Sequence, residues 1–259
     1  MSFEPVETIA GDPACGYLIL CDHARNTVPP ELGDLGLPPA TFERHIAYDI
    51  GARAVTVNLA RTLGAPAVMS CFSRLVIDPN RGLDDPTLLM RLSDGAVIPG
   101  NAGVDAAEKQ RRIDAYYKPY DAAIGAAIDA ARAAGKPPAI VSVHSFTPSW
   151  KGAPRRWHVG ILWDRDPRLA VPLIAALQSD PALVVGDNEP YSGELHGDTM
   201  FRHGTSKGLA HALIELRQDL VGSAEGIAEW SDRFEVILKA LAGQEGLNTV
   251  RHFGGAKQR

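Results

Sequence analysis

The chain alternates short apolar runs with longer amphipathic stretches, and several of the apolar runs end on polar clusters. Tyr17–Cys21 (YLILC) stops at DHARNTVPP. That profile predicts a buried strand feeding a loop that carries polar groups. Residues 40–63 read as a helix, because Ala47, Ile50, Ala54, Val57 and Leu59 fall near a 3.6-residue period and Gly64 can close it. Residues 67–72 form a second strand, and 75–77 either a third or its continuation. Residues 82–103, rich in Gly, Pro and Asp, read as a long loop. The clearest helix spans 104–134, with Gly135 at its end. Strands follow at 139–143 and 159–163, a helix at 167–178 and a short strand at 184–186. LAHALIEL, 209–216, suits a helix as well as a strand by composition and is a strand by context. A helix over 223–242 closes the chain. Strands alternating with helices predict an α/β fold: a mostly parallel or mixed sheet with helices on both faces. With no internal repeat and no linker, residues 1–259 are expected to form one domain.

Charge narrows the partners. The net charge is -5, whereas a nucleic-acid surface needs clustered Lys and Arg. The best basic cluster, Lys151, Arg155 and Arg156 between Trp150 and Trp157, is short and reads as a solvated loop. Cys15, Cys21 and Cys71 make neither a CxxC pair nor an even framework, which fits a reduced compartment. The first residues are acidic where a secretion signal is basic, and no apolar run approaches the ~20 residues of a membrane helix. The expectation is a cytoplasmic protein acting on a small molecule.

Ligands of open α/β sheets bind outside the carboxyl ends of the strands. The polar residues after each apolar run are therefore the candidates: Asp22 and His23, then Ser73, Arg74, Asp78, Asn80 and Arg81, then His144 and Ser145, then Glu215. A single strand-end His is commonly a hydrogen-bonded structural residue. Two, on separate strands, point to a metal. A catalytic zinc takes three protein ligands and leaves one position open. Asn26 and Asp49 both compete for third ligand, an amide oxygen being the poorer donor. His45 and Asp49, one helical turn apart, are another candidate pair, and an exposed helix charge is the plain alternative for Asp49. Glu215 lies among Leu213, Ile214 and Leu216, so it is either paired, for instance with Arg217, or a buried general base. Arg74, Arg81 and Arg202 are placed to bind carboxylates, which Arg does bidentately. Rival motifs are weak: GxSxG, GxGxxG and Walker A are absent, Ser192 lacks the elbow glycine, and Cys71 sits in an apolar run and reads as core.

Six segments in order, from residue 17 to 219, resemble the N-formylglutamate amidohydrolase family. CDHARNTVPP is similar to its PHSG..vP opening and HIAYDIGA to its Asp-aromatic helix. SRLVIDPNR is close to SR.VIDLNR, VSVHS to D.HS and TMFRHG to T.RH.G, while LIELRQD is similar to the block with the acidic residue. The resemblance implies a zinc-carboxypeptidase-like fold. It also implies a zinc or other divalent metal on His23, Asp49 and His144, with Glu215 as general base and acid. By analogy, Asn80 and Arg81 would bind a substrate carboxylate, Arg74 the oxyanion and Arg202 a second carboxylate. The implied reaction is N-formylglutamate to glutamate and formate, in histidine degradation. DHAR, SVHS and DPNR depart from the family pattern, and SVHS lacks the Asp that would orient His144. Two alternatives stay open: a related hydrolase of another acyl-amino acid or short peptide, and a metal-free binding protein of the same fold.

Overall fold

The structure, a computed structural model, describes residues 3–254. Its elements are β1 (Val6–Ile9), β2 (Tyr17–Cys21), α1 (Ala52–Leu63), β3 (Ala67–Ser70), β4 (Leu92–Ser93), β5 (Ala96–Val97), α2 (Pro99–Ala102), α3 (Ala106–Arg112) and α4 (Lys118–Ala133). They continue with β6 (Ala139–Phe146), β7 (Ser149–Trp150), β8 (Ala153–Pro154), β9 (Val159–Leu162), α5 (Pro167–Gln178), β10 (Val185–Asp187), α6 (Thr199–His203), β11 (His211–Arg217) and α7 (Ala224–Leu241). Seven strands form one sheet in the order β1-β3-β2-β6-β11-β9-β10. β1 runs antiparallel to β3 and β9 antiparallel to β11, while the other neighbours are parallel. The mixed α/β expectation holds. None of the helices among the described residues is long and apolar enough to cross a membrane.

Side chains alternate faces along a strand. On β6, Val141 and Val143 pack toward α1, α5 and α7, in a core with Leu59, Leu173 and Phe234. Ile140 packs the other way, with Ile124 and Ile128 of α4 and Met200 of α6. The same parity puts Ser142 and His144 on the α4–α6 face. On β11 it puts Leu213 and Glu215 there. β2, β6 and β9 are buried along their whole lengths, and so is β11 up to Arg217. Each fully buried Ile or Leu contributes about 1.5–3 kcal/mol relative to exposure. A second cluster lies under the long segments, around Phe72, Leu75, Ile77 and Tyr116.

Five expectations change. Residues 82–103, read as a loop, carry the β4–β5 hairpin and the short helix α2. The helix predicted over 40–63 is only α1, preceded by a short 3-10 turn (Pro39–Glu43) and irregular backbone. The break is Gly51, with φ of 80°. Any Cβ there would stand 2.3 Å from the Val221 carbonyl oxygen. Residues 75–77 are a buried turn, since Val76 N–H donates to Ser73 O rather than to a strand. The 104–134 helix is α3 and α4 joined by one π turn, Ile113–Tyr117, next to Pro119, which has no N–H to continue the ladder. β1 escaped detection because an edge strand, half-buried and mixed in composition, carries no alternation strong enough to see. The ambiguous 209–216 segment is strand β11, ladder-bonded on both sides.

Gly51→Ala is expected to lower stability by roughly 2–4 kcal/mol, summing left-handed strain and the Val221 clash. Thermal denaturation measures it.

Candidate active site

The sheet brings the strand ends together above β2, β6 and β11. His23 follows β2, His144 lies on β6, and Glu215 is paired in register with His144. Asp49 comes from the irregular stretch before Gly51. That stretch is pinned by Asp49 N–H to His23 O (3.0 Å), Ser73 Oγ to Ala47 O (2.8 Å) and Ser145 Oγ to Ile50 O (2.7 Å). Asp49 is therefore buried and not an exposed helix charge.

Asp49 Oδ2 lies 3.2 Å from His23 Nδ1 and 2.8 Å from His144 Nδ1. The donor atoms of the three residues fall within 4.8 Å of one another. In a tetrahedral zinc site with bonds of ~2.0–2.1 Å, donors stand roughly 3.3 Å apart, so the set fits such an ion. The far ring nitrogens are held as well. His23 Nε2 meets Asp78 Oδ1 at 2.7 Å, and His144 Nε2 meets Asp22 Oδ2 at 2.9 Å. An outer carboxylate on each imidazole orients the ring and raises its basicity toward a metal.

The Asp that SVHS lacks is thus supplied by the neighbouring strand. Asp22 occupies the first position of DHAR, and the Ser142 hydroxyl donates to the same Asp22 Oδ2 at 2.9 Å. Its other oxygen accepts from Thr199 Oγ1 (2.6 Å) and Tyr120 OH (3.1 Å). Burial pushes the Asp22 and Asp49 carboxyls up, but the histidine contacts outweigh it and hold both below the usual carboxylate range. Asp78 is likewise held well down, burial being outweighed by Arg74 and His23. Arg74 donates to Asp78 Oδ2 at 2.7 Å and stands 3.6 Å from Asp49 Oδ1. Three buried carboxylates against one guanidinium leave two negative charges. One divalent cation, or a proton on each imidazole, neutralises them.

Glu215 differs from these acids. Burial raises its carboxyl to about 7, with the His144 charge opposing, and Oε2 is buried without a hydrogen-bond partner. The suggested pairing with Arg217 does not form, because Arg217 binds Asp219 at 2.8 Å. Arg74 Nε is also buried and unpartnered. Both residues line a cavity of about 430 Å³, together with His23, Asp49 and His144.

Asn80 and Arg81 line the cavity too. Asn80 Oδ1 accepts from Thr199 N–H (3.0 Å), which leaves its amide NH₂ unengaged by any described hydrogen bond. Arg202 does not line the cavity. It donates to Asp121 (2.9 Å) and to the carbonyls of Pro79, Arg81 and Gly197, and it stacks 4.9 Å from the Tyr117 ring centre. Its donors are taken by Asp121 and these loop carbonyls, a structural role rather than the second-carboxylate role expected of it. Asn26 donates to Phe42 O and lies outside the cluster. His45 lines the cavity but approaches Asp94 (3.5 Å) rather than Asp49. Lys151 and Arg156 are exposed, as in a solvated loop, while Arg155 is half-buried, lying between the rings of Phe146, Trp150 and Tyr191 and bonding the Tyr191 hydroxyl. Cys71 is half-buried rather than core. In the sequence Asp22 and Asp78 stand out only as strand-end polar residues. A buried Asp next to a candidate ligand His was the signal for Asp22. Tyr120 and Thr199 carried none.

A sequence profile described as N-formylglutamate amidohydrolase matches residues 15–221. The chain belongs to that family. Gene product Atu2144 from Agrobacterium tumefaciens, a solved structure, is 33% identical with a TM-score of 0.84, over 92% of this chain and 95% of that one. The N-formylglutamate amidohydrolase from Ralstonia eutropha JMP134 is 23% identical with a TM-score of 0.63, over 92% and 97%. At that identity the likeness shows a shared fold. No curated protein matches the sequence. Family membership makes the protein a hydrolase acting on amides.

Asp198, at the start of α6, lines the cavity and accepts from Phe201 N–H at 2.7 Å. Burial raises its carboxyl to about 7 from an ordinary 3.8. A raised carboxyl favours the folded state when protonated. That contribution is full below the unfolded value and is lost as pH rises through about 7. Between about pH 5 and about pH 8, the protein should lose roughly 2 kcal/mol relative to Asp198→Asn. Urea titrations of both proteins across that range check it.

Proposed function

We propose that the chain hydrolyses the amide bond of an N-acyl amino acid, with a divalent metal, zinc, on His23 Nδ1, Asp49 Oδ2 and His144 Nδ1. The observation that carries the reading is Glu215, an unpaired buried carboxylate beside a His–Asp–His donor set whose outer nitrogens are both held by acids. A metal bound there supplies Lewis acidity and makes a water acidic enough to attack near neutral pH.

The remaining steps fall to this chain's own side chains. Asn80 and Arg81 receive the substrate carboxylate, which sets the amide over the donor set. Arg74, fixed by Asp78, offers its free Nε toward the carbonyl oxygen as negative charge develops on it. Glu215 Oε2 takes a proton from the attacking water as the water oxygen bonds to the carbonyl carbon. It then gives that proton to the amide nitrogen as the C–N bond breaks, releasing a free amine and a carboxylic acid. A carboxyl near 7 is matched to both halves of this exchange. N-formylglutamate, which would yield glutamate and formate, is the substrate the family description names. The reading requires an N-acyl group and one α-carboxylate.

Two outcomes test it. Glu215→Gln should lower kcat by about 10²–10⁴-fold while zinc, measured by atomic absorption, remains bound; a wild-type rate sinks the role. His23→Ala should lose zinc and activity together, and chelation of the wild type should abolish a turnover that added zinc restores. A wild type that binds no zinc and hydrolyses nothing favours the binding-protein alternative.

A further inference from the structure

The cavity extends past the metal-ligand group along β11. Glu215 faces Gly160 across the β11–β9 ladder, and the next residues on that face, Leu213 and Leu162, are direct register partners. They form an apolar floor. Met200 of α6 and Leu195 line the same cavity. This arm starts at the carboxylate-binding end, because Asn80 Oδ1 holds Thr199 N–H, the first residue of α6.

No cation lies in the arm. Arg74 and Arg81 are the only Arg or Lys side chains lining the cavity among the described residues, and Arg74 is committed to Asp78 and Asp49. Arg202 and Arg155 lie outside the lining. The imidazole at the far end, His211, donates from Nδ1 to Leu209 O and meets the Thr205 hydroxyl with Nε2, and burial lowers its pKa. Asp198, a buried acid that also lines the cavity, offers a second carboxylate no positive charge. The cavity's size, about 430 Å³, falls in the range of drug-sized ligands and leaves room beyond a formyl group and a carboxylate.

We propose that this arm takes the side chain of the amino-acid moiety, and that this side chain is apolar and uncharged, of leucine, methionine or phenylalanine size. The inference rests on the N-acyl amino acid reading and names its substrate class: monocarboxylic N-acyl amino acids rather than the dicarboxylic glutamate derivative. A glutamate side chain would bury its charge against leucines with no counter-ion.

The test compares N-formyl-leucine, N-formylglycine and N-formylglutamate as substrates of the zinc-containing protein. N-formyl-leucine should exceed both others in kcat/KM by roughly ten- to hundredfold. In Met200→Ala and Leu213→Ala the leucine-to-glycine ratio should fall by roughly tenfold, mainly through KM. Calorimetric titration of Glu215→Gln with N-formyl-leucine and N-formylglutamate reads the same preference without turnover. N-formylglutamate as the better substrate and the tighter ligand overturns the inference while leaving amide hydrolysis intact, as does a ratio that neither substitution moves. Hydrolysis of none of the three, with zinc bound, overturns the amidase reading and this inference with it.

Discussion

One carboxylate oxygen, Oδ2 of Asp49, stands between His23 Nδ1 and His144 Nδ1, and the surrounding structure is organised by the charge it buries. A buried, unpaired carboxylate is expensive. The chain answers with two imidazoles, Arg74 and two further acids behind the imidazoles. Each outer acid is then tied to a different element. Asp22 reaches α4 through Tyr120 and α6 through Thr199. Asp78 reaches the backbone N–H of Asn80 at 2.9 Å. The donor set is held by the sheet, two helices and a loop together, which is the preorganisation that metal binding and catalysis both need.

Residues 73–81 carry Arg74 and the Asn80–Arg81 pair, all lining the cavity, yet they form no regular element. Arg202 ties down the end of this loop. Its guanidinium bonds the Pro79 and Arg81 carbonyls, and Tyr117 OH bonds Arg81 O at 2.8 Å. Arg202 therefore acts on the site through the backbone of Asn80 and Arg81. The π turn between α3 and α4 serves the same purpose, placing Tyr117 against the loop while Tyr120, one turn on, meets Asp22.

The two ends of the cavity differ in character because of strand parity. At the carboxyl ends of β2, β6 and β11 the α4–α6 face carries Asp22, His144 and Glu215. One residue pair back along β11, the same face is Leu213 against Leu162. A polar reaction centre therefore adjoins an apolar floor with no change of element. The opposite wall follows closely: Gly193 lies against the Trp163 backbone, where a Cβ would stand 2.3 Å from the Trp163 nitrogen.

The sequence by itself determined the strand ends, and with them His23, His144 and Glu215. A short apolar run that ends on or encloses a polar residue is a local pattern, and each of these residues sits on one. It also determined the family, through motifs such as SRLVIDPNR that run in order along the chain. Tertiary structure alone decided the partners. Asp22 orients a histidine 122 residues away, and Asp49 faces the site because Gly51 breaks a helix that periodicity carries straight through. Arg202 looks in sequence like a free strand-end cation, but folding delivers three loop carbonyls to it first. Hydrophobic period is written between near neighbours. Charge pairing is settled between residues that only the assembled sheet brings together, and the cavity beside Asp49 is lined by such residues.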